Sequence, residues 1–162
     1  MLNTVSEMER LSKTEYYLTI AEAVALRSTC LRRQYGAVIV KDDVIVSTGY
    51  NGSARGEINC IDTGECWREV HDIPHGEQYE KCRAVHAEMN AVINASRGDM
   101  KDATLYLGGW ENGAQMHEHV EPCLMCKRVI RNAGISAVIV RDPDSLFGWK
   151  CYDFREGIQT SE

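Results

Sequence analysis

The sequence predicts a three-layer α/β/α fold in which a central mixed β-sheet of about five strands lies between helices. Predicted elements follow one another as helix, hairpin, helix, strand, helix, strand, and this order favours a mixed sheet with helices on both faces. The 162 residues are 44% hydrophobic and 26% charged, which is typical of a globular domain with room for a core. We therefore expect a single domain over residues 1–162.

The first predicted helix begins at Ser12 and continues to about Thr29. Ser12 and Glu15 have the spacing of a capping box, in which the serine side chain accepts a hydrogen bond from the first helical turn. Apolar residues then recur at helical spacing. Residues 36–41 and 44–49 are β-rich and are separated by two aspartates, which predicts an antiparallel hairpin.

A long segment with little periodicity, residues 53–81, follows the hairpin. Such a segment inside a compact domain is usually functional or separately tied down. A second helix is predicted over Ala84–Arg97, followed by a strand at 103–107 and a polar surface loop at 108–121 near the functional site. That loop contains Trp110, His117 and His119.

The third helix is predicted to open at Pro122 and to end at Gly134. Proline suits the first helical position because its missing N–H has no partner there, and glycine suits the residue after a helix. A strand is predicted at 135–140, and residues 142–162 are expected to pack a last irregular or β segment. The two later helices should present their first turns at one edge of the sheet, where we expect the site.

Charge and hydropathy exclude several classes of function. The net charge of −6 and the pI near 5.4 argue against a broad nucleic-acid-binding face, which is normally basic. Aliphatic runs such as 137–140 are short, far from the roughly 20 apolar residues of a membrane span. The polar start, residues 1–10, lacks the apolar core of a signal peptide. We expect a cytoplasmic protein with no membrane partner.

The strongest chemical signal consists of His86, Cys123 and Cys126. The two cysteines are three residues apart and share a helix face, and a helix N-terminus favours their thiolates. With the imidazole they provide two sulfurs and one nitrogen, the donor set of a tetrahedral zinc site whose fourth position is open, as in catalytic zinc. The alternative is a structural zinc knot that uses the cysteines, with His86 in the core.

His86-x-Glu88 followed by Pro122-Cys123-x-x-Cys126 is the signature of the zinc deaminases. The wider sequence resembles the deoxycytidylate (dCMP) deaminases, including their bacterial late-competence relatives, over most of residues 14–141. The resemblance implies a cytidine deaminase-like fold. It departs at 53–55, which lack a proline usual in the family, and at 110–121, which is longer than expected. The similar stretches are 33–40, 47–52, 82–91 and 132–135.

The resemblance implies hydrolytic deamination of dCMP to dUMP and ammonia, which would supply dUMP for thymidylate synthesis. Zinc lowers the pKa of its bound water toward about 7 and so makes hydroxide available. Glu88 would take the water proton, pass it to the ring nitrogen and then protonate the leaving amine. The alternative for Glu88 is a carboxylate that only stabilises a helix start.

The resemblance also implies that Asn51 contacts the sugar and that the backbone N–H of Ala87 holds a pyrimidine carbonyl oxygen. Asn51 has an alternative interpretation as a turn residue. A 5′-phosphate needs a cation or a cluster of N–H groups. The candidates in the sequence are Arg27, Arg33, Ser53 and Arg55.

Seven cysteines in a cytosolic chain point to metal binding or catalysis before disulfides. A second, closed zinc site would stabilise the irregular 53–81 segment, and members of the resembled family can carry such a zinc. Buried small hydrophobes are the competing interpretation, and we interpret Cys151 as a packed free thiol. The predicted ligands are Cys30, Cys60, Cys66 and Cys82, with His71 and His75 as alternatives.

Proteins of the resembled family are typically homo-oligomers, and the resemblance implies a hexamer or a dimer. It also implies regulation by dCTP or dTTP, with Mg accompanying the triphosphate. Two other functions remain open. One is deamination of another nucleotide or base, or of tRNA adenosine, which the acidic charge disfavours. The other is a non-catalytic, zinc-stapled binding module linked to DNA uptake.

Overall fold

The computed structural model describes residues 10–116 and 120–155. The helices are α1 (Lys13–Ala25), α2 (Cys60–Thr63), α3 (Trp67–Val70), α4 (Ala87–Ile93), α5 (Arg97–Met100) and α6 (Leu124–Ala133), with a 3₁₀ turn at Tyr79–Lys81. The strands are β1 (Arg33–Lys41), β2 (Val44–Tyr50), β3 (Gly52–Ser53), β4 (Ala84–Val85), β5 (Thr104–Glu111), β6 (Ala114–Gln115), β7 (Ala137–Arg141) and β8 (Trp149–Asp153). None of the described helices has the length and apolar character needed to cross a membrane.

The main sheet has the strand order β2-β1-β5-β7-β8, with the short β6 paired to β5. Strands β5 and β7 are parallel, whereas β1 is antiparallel to both β2 and β5 and β8 is antiparallel to β7. The predicted mixed sheet of about five strands is therefore confirmed. A second, two-stranded sheet joins β3 to β4 through the pairs Gly52–Val85 and Ser53–Ala84, and it brings the end of the hairpin beside His86.

Helices cover both faces of the main sheet. On one face Leu18 of α1 packs in a cluster with Val38 and Ile139. On the other face Ala91 of α4 and Ile130 of α6 share a larger core with the strands. This arrangement confirms the predicted three layers, and it leaves the first turns of α4 and α6 on the same side of the sheet.

Two glycines allow helices to approach the sheet closely. A Cβ on Gly36 would lie 2.0 Å from the carbonyl oxygen of Ala21 in α1. A Cβ on Gly49 would lie 2.3 Å from the backbone nitrogen of Ala91 in α4. Because real Cβ atoms do not approach backbone atoms so closely, these positions require glycine.

The start of the chain follows the prediction closely. Ser12 is the N-cap of α1, and its Oγ accepts a hydrogen bond from the backbone nitrogen of Glu15 at 3.1 Å. Asp42 and Asp43 form the hairpin turn with φ values of 50° and 64°, the positive range that two-residue hairpin turns favour. Helix α1 ends at Ala25 and not near Thr29.

The earlier end of α1 has a local cause. Ser28 Oγ donates to the backbone and side-chain oxygens of Asn51 at 2.8 and 2.6 Å, and the backbone nitrogen of Thr29 also donates to the Asn51 carbonyl. These bonds turn the chain toward the end of the hairpin, so the helical hydrogen-bond pattern stops.

Other predicted boundaries were also wrong. Residues 108–111 belong to β5 and not to a loop, because they pair with β1 and fold back into β6. The second helix spans only Ala87–Ile93, since Ala84–Val85 form β4 and His86 is the N-cap, and Arg97 begins the separate helix α5. The third helix begins at Leu124 with Cys123 as its N-cap, so Pro122 precedes the helix. The predicted β segment in the tail is β8, while His117, His119 and residues 156–162 lie outside the described residues.

Candidate metal centre and active site

The starts of α4 and α6 bring the three predicted zinc ligands together. His86 is the N-cap of α4 and Cys123 is the N-cap of α6. The Nδ1 atom of His86 lies 3.6 Å from Cys123 Sγ and 3.3 Å from Cys126 Sγ. Among the described residues, this is the one group of three or more His, Cys, Asp or Glu ligand atoms that lie within 4.8 Å of one another.

The spacing of these three atoms fits zinc. A tetrahedral centre with Zn–S bonds of about 2.3 Å and a Zn–N bond of about 2.0–2.1 Å separates sulfur from nitrogen by about 3.6 Å. The observed separations of 3.6 and 3.3 Å correspond to this geometry within a few tenths of an ångström. Three protein ligands leave one position of the tetrahedron for water or substrate, as in catalytic sites.

Hydrogen bonds between the donors shift the pKa values of the two cysteines in opposite directions. The pKa of Cys123 is lowered, first because the Cys126 thiol donates a hydrogen bond to it and then because His86 does. The pKa of Cys126 is raised because its thiol is the donor in that bond and because it is buried. A divalent cation would take the place of these protons and hold both sulfurs as thiolates.

Glu88 follows His86 by two residues. It lies in the first turn of α4, is 5% exposed, and interacts electrostatically with His86 and with the Cys126 thiol. Burial raises the pKa of its carboxyl group. A carboxylate held here can accept and return a proton beside the open metal position.

His86, Cys123 and Glu88 line one cavity of about 790 Å³, while Cys126 is buried behind them. Residues of the irregular 53–81 segment form much of its wall, together with residues around β1 and the start of α6. Six lysine and arginine side chains and four glutamates line it, although the whole chain carries a net charge of −6. The cavity is therefore locally cationic.

Most of the basic side chains at this cavity were not predicted. They come from separate parts of the chain, so no local sequence pattern connects them. Of the four predicted phosphate candidates, Arg33 lines the cavity and forms an ion pair with Glu111 at 2.8 Å. Arg27 and Arg55 are exposed elsewhere. The basic residues that the sequence analysis missed are Arg32, Arg68, Arg83, Lys127 and Arg128.

The remaining predicted substrate residues have different surroundings. Ala87 is fully buried and lines the cavity as the first residue of α4. Asn51 also lines the cavity, and its Oδ1 accepts from the Tyr35 backbone nitrogen at 2.8 Å while its Nδ2 donates to the Arg33 carbonyl at 2.9 Å. Ser53 is not among the lining residues, and its buried Oγ has no hydrogen-bond partner among the described residues.

The four cysteines predicted to bind a second zinc line the same cavity, as do His71 and His75. Cys60 interacts electrostatically with the other three cysteines, and Cys30 interacts with Cys66 and Cys82. Burial raises the pKa of both Cys30 and Cys60. In the described part of the chain these sulfurs do not form a second group within 4.8 Å. Cys151, predicted to be packed, is exposed.

Comparisons with known proteins agree with this geometry. Residues 11–141 match a family described as the cytidine and deoxycytidylate deaminase zinc-binding region. The deoxycytidylate deaminase of Mycobacterium phage D29 is 38% identical over 137 residues, covering 82% of this chain and 96% of that protein. ComE operon protein 2 of Bacillus subtilis (strain 168) is 35% identical over 131 residues, covering 81% of this chain and 60% of that protein. The chain therefore spans under two thirds of the Bacillus protein but nearly all of the phage protein.

Among solved structures, the dCMP deaminase from the cyanophage S-TIM5 in complex with dCMP and dUMP has a TM-score of 0.54 and 24% sequence identity. The match covers 83% of this chain and 84% of that chain. At this identity the likeness concerns the fold, which is the same mixed sheet with flanking helices.

Proposed function

The chain belongs to the cytidine and deoxycytidylate deaminase family, and from this we propose that it hydrolyses dCMP to dUMP and ammonia. The observation that carries the proposal is the buried carboxylate of Glu88, which lines a cationic cavity together with His86 and Cys123, two of the three grouped donors. The dUMP formed would be available for thymidylate synthesis.

Zinc, when bound by these three donors, would supply a Lewis acid that activates water for attack near neutral pH. Glu88 would accept the proton of the attacking water and deliver it to the ring nitrogen next to the amino-bearing carbon. It would then take the proton of the hydroxyl newly attached to that carbon and deliver it to the amino group, which leaves as ammonia. Burial suits this exchange, since a raised pKa brings a carboxyl group closer to the operating pH of a proton shuttle.

Two groups in the cavity are suited to hold the nucleoside. The backbone N–H of Ala87 belongs to the first turn of α4, where helical N–H groups have no acceptor within the helix, so it can donate to a pyrimidine carbonyl oxygen. The Nδ2 of Asn51 uses one proton for the Arg33 carbonyl and carries a second, which we assign to the sugar.

The cavity's charge supports a nucleotide over a nucleoside. Six basic side chains against four glutamates attract an anion, and arginine binds phosphate oxygens well. Arg33 is the candidate that sequence and structure share, with Arg32, Arg83 and Arg128 as further lining cations.

The deciding experiment measures ammonia release from dCMP, CMP, deoxycytidine and cytidine. We expect wild type to prefer dCMP, and Glu88→Ala to lose about 100- to 10,000-fold in rate because the proton shuttle is gone. Glu121→Gln is the matched control, since Glu121 lines the same cavity and should retain most activity. Equal rates on nucleoside and nucleotide would refute the role of the phosphate. Absence of ammonia release by wild-type protein that holds zinc would favour the binding module.

The proposal includes a second zinc held by Cys30, Cys60, Cys66 and Cys82, with His71 or His75 as alternative ligands. Its support is that all six line one cavity and that the four cysteines interact electrostatically. Metal analysis should find two zinc ions per wild-type chain and about one in Cys60→Ser, together with weaker deamination. Cys151→Ser, an exposed thiol, should keep two. Two zinc ions in Cys60→Ser would contradict the assignment.

We further propose a homo-oligomer, a hexamer or a dimer, regulated by dCTP and dTTP with Mg. Exposed apolar side chains on α4 and α6 support association: Ile93 is 71% exposed and Leu124 is 76% exposed, and such surface is typical of interfaces when it is contiguous. Light scattering during size exclusion measures the assembly. Deamination rates with and without each Mg-triphosphate test regulation, and a monomer with unchanged rates would contradict both statements.

A further inference from the structure

The buried arginine of the 53–81 segment organises the loop beside the metal centre. Arg68 lies in α3, is 4% exposed, and its Nη2 donates to the Pro74 carbonyl at 2.5 Å. Its Nη1 donates to the carbonyl of Glu77. The guanidinium also lies over the ring of Tyr79, with Cζ 4.8 Å from the ring centroid. The Arg68 side chain therefore holds the loop at residues 74–77 together and packs against one face of the Tyr79 ring.

The same aromatic ring contacts a metal ligand. The ring centroids of Tyr79 and His86 are 5.2 Å apart with an interplanar angle of 85°, the edge-to-face arrangement that aromatic pairs favour. The Tyr79 hydroxyl accepts a hydrogen bond from the Gly76 backbone nitrogen at 3.2 Å. Tyr79 is thus held by Arg68 on its face and by Gly76 at its hydroxyl while it meets the imidazole.

We propose that Tyr79, held by Arg68, is a positioning residue that fixes the ring of His86 for metal binding. The effect on the deamination rate rests on the proposed function, whereas the effect on metal affinity does not. Tyr79 meets the imidazole through its ring, and Arg68 acts through Tyr79.

The imidazole of His86 must be kept from rotating if its Nδ1 is to stay beside the two sulfurs. The backbone of His86 is fixed by β4 on one side and α4 on the other, but its ring can still turn about the Cβ–Cγ bond. A turn away from the observed position moves Nδ1 out of reach of the metal that Cys123 and Cys126 share. The ring of Tyr79 occupies the adjacent space and opposes this turn. Neighbours that orient a ligating histidine commonly change metal affinity when they are removed.

The role of Arg68 follows from its mode of burial. Its Nε is buried without a hydrogen-bond partner among the described residues, and an unpaired buried donor lowers stability. Its contribution to stability therefore does not explain well why arginine occupies this position. The planar contact of its guanidinium with Tyr79 explains it better, because the ammonium group of a lysine reproduces that contact poorly.

The test compares metal binding in Tyr79→Leu, Tyr79→Phe and Arg68→Lys. Cobalt(II) absorption reports the two-sulfur, one-nitrogen site separately from a site of four sulfurs, and competition with a chelator gives the affinity. We expect Tyr79→Leu to bind cobalt at the catalytic site about threefold to tenfold more weakly, the range for one aromatic contact. Tyr79→Phe retains the ring and should stay within about twofold of wild type. Tyr16→Leu is the control, because that ring is 49% exposed on α1 on the opposite face of the sheet.

Arg68→Lys keeps the positive charge and the apolar part of the side chain. It therefore tests the contact between the planar guanidinium and the Tyr79 ring without removing an aromatic ring. We expect a loss of about threefold in affinity, and kcat should fall more than KM changes. Wild-type affinity in both Tyr79→Leu and Arg68→Lys would overturn the proposal. Equal losses in Tyr79→Phe and Tyr79→Leu would also overturn it, since the ring would then not be the cause.

The outcomes separate this inference from the proposed function. If wild type releases no ammonia from dCMP and Tyr79→Leu still binds metal more weakly, the function is refuted and the positioning role stands. If Tyr79→Leu deaminates dCMP and binds metal as wild type does, the positioning role is refuted and the function stands.

Discussion

The hydroxyl of Tyr152 donates a hydrogen bond to Oε2 of Glu121 at 2.8 Å, which connects the last strand to the turn that leads into the metal-binding helix. Lys127 of α6 lies 3.5 Å from the same carboxylate and 5.4 Å from the centroid of the Tyr152 ring. The family match covers residues 11–141, so β8 lies outside the matched region, and it braces the turn before Cys123.

Tyr152→Phe should lower the free energy of unfolding by up to about 1 kcal/mol, because it removes one charge-assisted hydrogen bond at an exposed position. The Tyr152 hydroxyl is also the main cause of the lowered pKa of Glu121, followed by Lys127. A carboxyl group whose pKa is lower in the folded than in the unfolded protein stabilises the fold at pH values above its unfolded pKa, which is near 4.3. This stabilisation is lost as the pH falls through the folded-state pKa. Urea unfolding at pH 7 and pH 3.5 should therefore show the difference between the proteins shrinking in acid. An equal difference at both pH values would contradict the assignment of this bond.

Gly49→Ala should disturb the metal centre, because the added Cβ would lie 2.3 Å from the Ala91 nitrogen and 2.5 Å from the Ala87 carbonyl oxygen and would push α4 outward. We expect a loss of about 1–3 kcal/mol in stability and about tenfold weaker zinc binding. Gly36→Ala is the matched control, since its Cβ would collide with Ala21 of α1 on the other face. It should lose stability similarly while the folded protein keeps its zinc affinity. Chelator competition together with urea unfolding distinguishes the two, and unchanged zinc affinity in Gly49→Ala would refute the role of this packing.

The parts of the fold that could be predicted are those whose signals are local. The Ser12 cap, the two-aspartate turn and the glycine at the end of α6 each depend on residues within four positions of one another. The zinc motifs are local too, because His86 with Glu88 and Cys123 with Cys126 each occupy one helix start. A pattern of residue types at short spacing can therefore be read without knowing the fold.

The parts that could not be predicted depend on distant partners. Residues 108–111 include two glycines and a glutamate, which are poor strand formers. They nevertheless form a strand because Arg33 of β1 pairs with Glu111 and because Trp110 donates to the Glu22 carbonyl. The helices α2 and α3 have four residues each, too few to show periodicity. The contact between Tyr79 and His86 likewise has no signature in the sequence, since the fold of the 53–81 segment creates it.

Arg141→Met should reduce stability by about 3–5 kcal/mol, because it leaves the buried carboxylate of Glu22 without its cation. Arg141 binds Glu22 through Nε at 2.8 Å and Nη2 at 3.3 Å, and the Glu22 side chain is 7% exposed. Glu15, the other partner of Arg141, is 32% exposed, so Glu15→Ala should lose about 1 kcal/mol or less. Chemical denaturation measures both. The double variant Glu22→Leu with Arg141→Met should recover part of the loss, and a double variant less stable than Arg141→Met alone would contradict this explanation.

Tyr17→Phe should flatten the loss of stability at alkaline pH. The Tyr17 hydroxyl donates to Asp43 Oδ1 at 2.8 Å, and burial, followed by this hydrogen bond, raises its pKa to about 12. The pKa of Tyr17 is higher in the folded protein than in the unfolded protein, where it is near 10. Tyr17 therefore contributes stability that is complete below pH 10 and is lost as the pH rises through about 12. Urea unfolding between pH 8 and pH 11.5 should show wild-type stability falling more steeply than that of Tyr17→Phe. Asp43→Asn removes the negative charge of Asp43 but leaves the burial of Tyr17, so its slope of stability against pH should lie between the two. Identical slopes for wild type and Tyr17→Phe would show that Tyr17 does not titrate with unfolding.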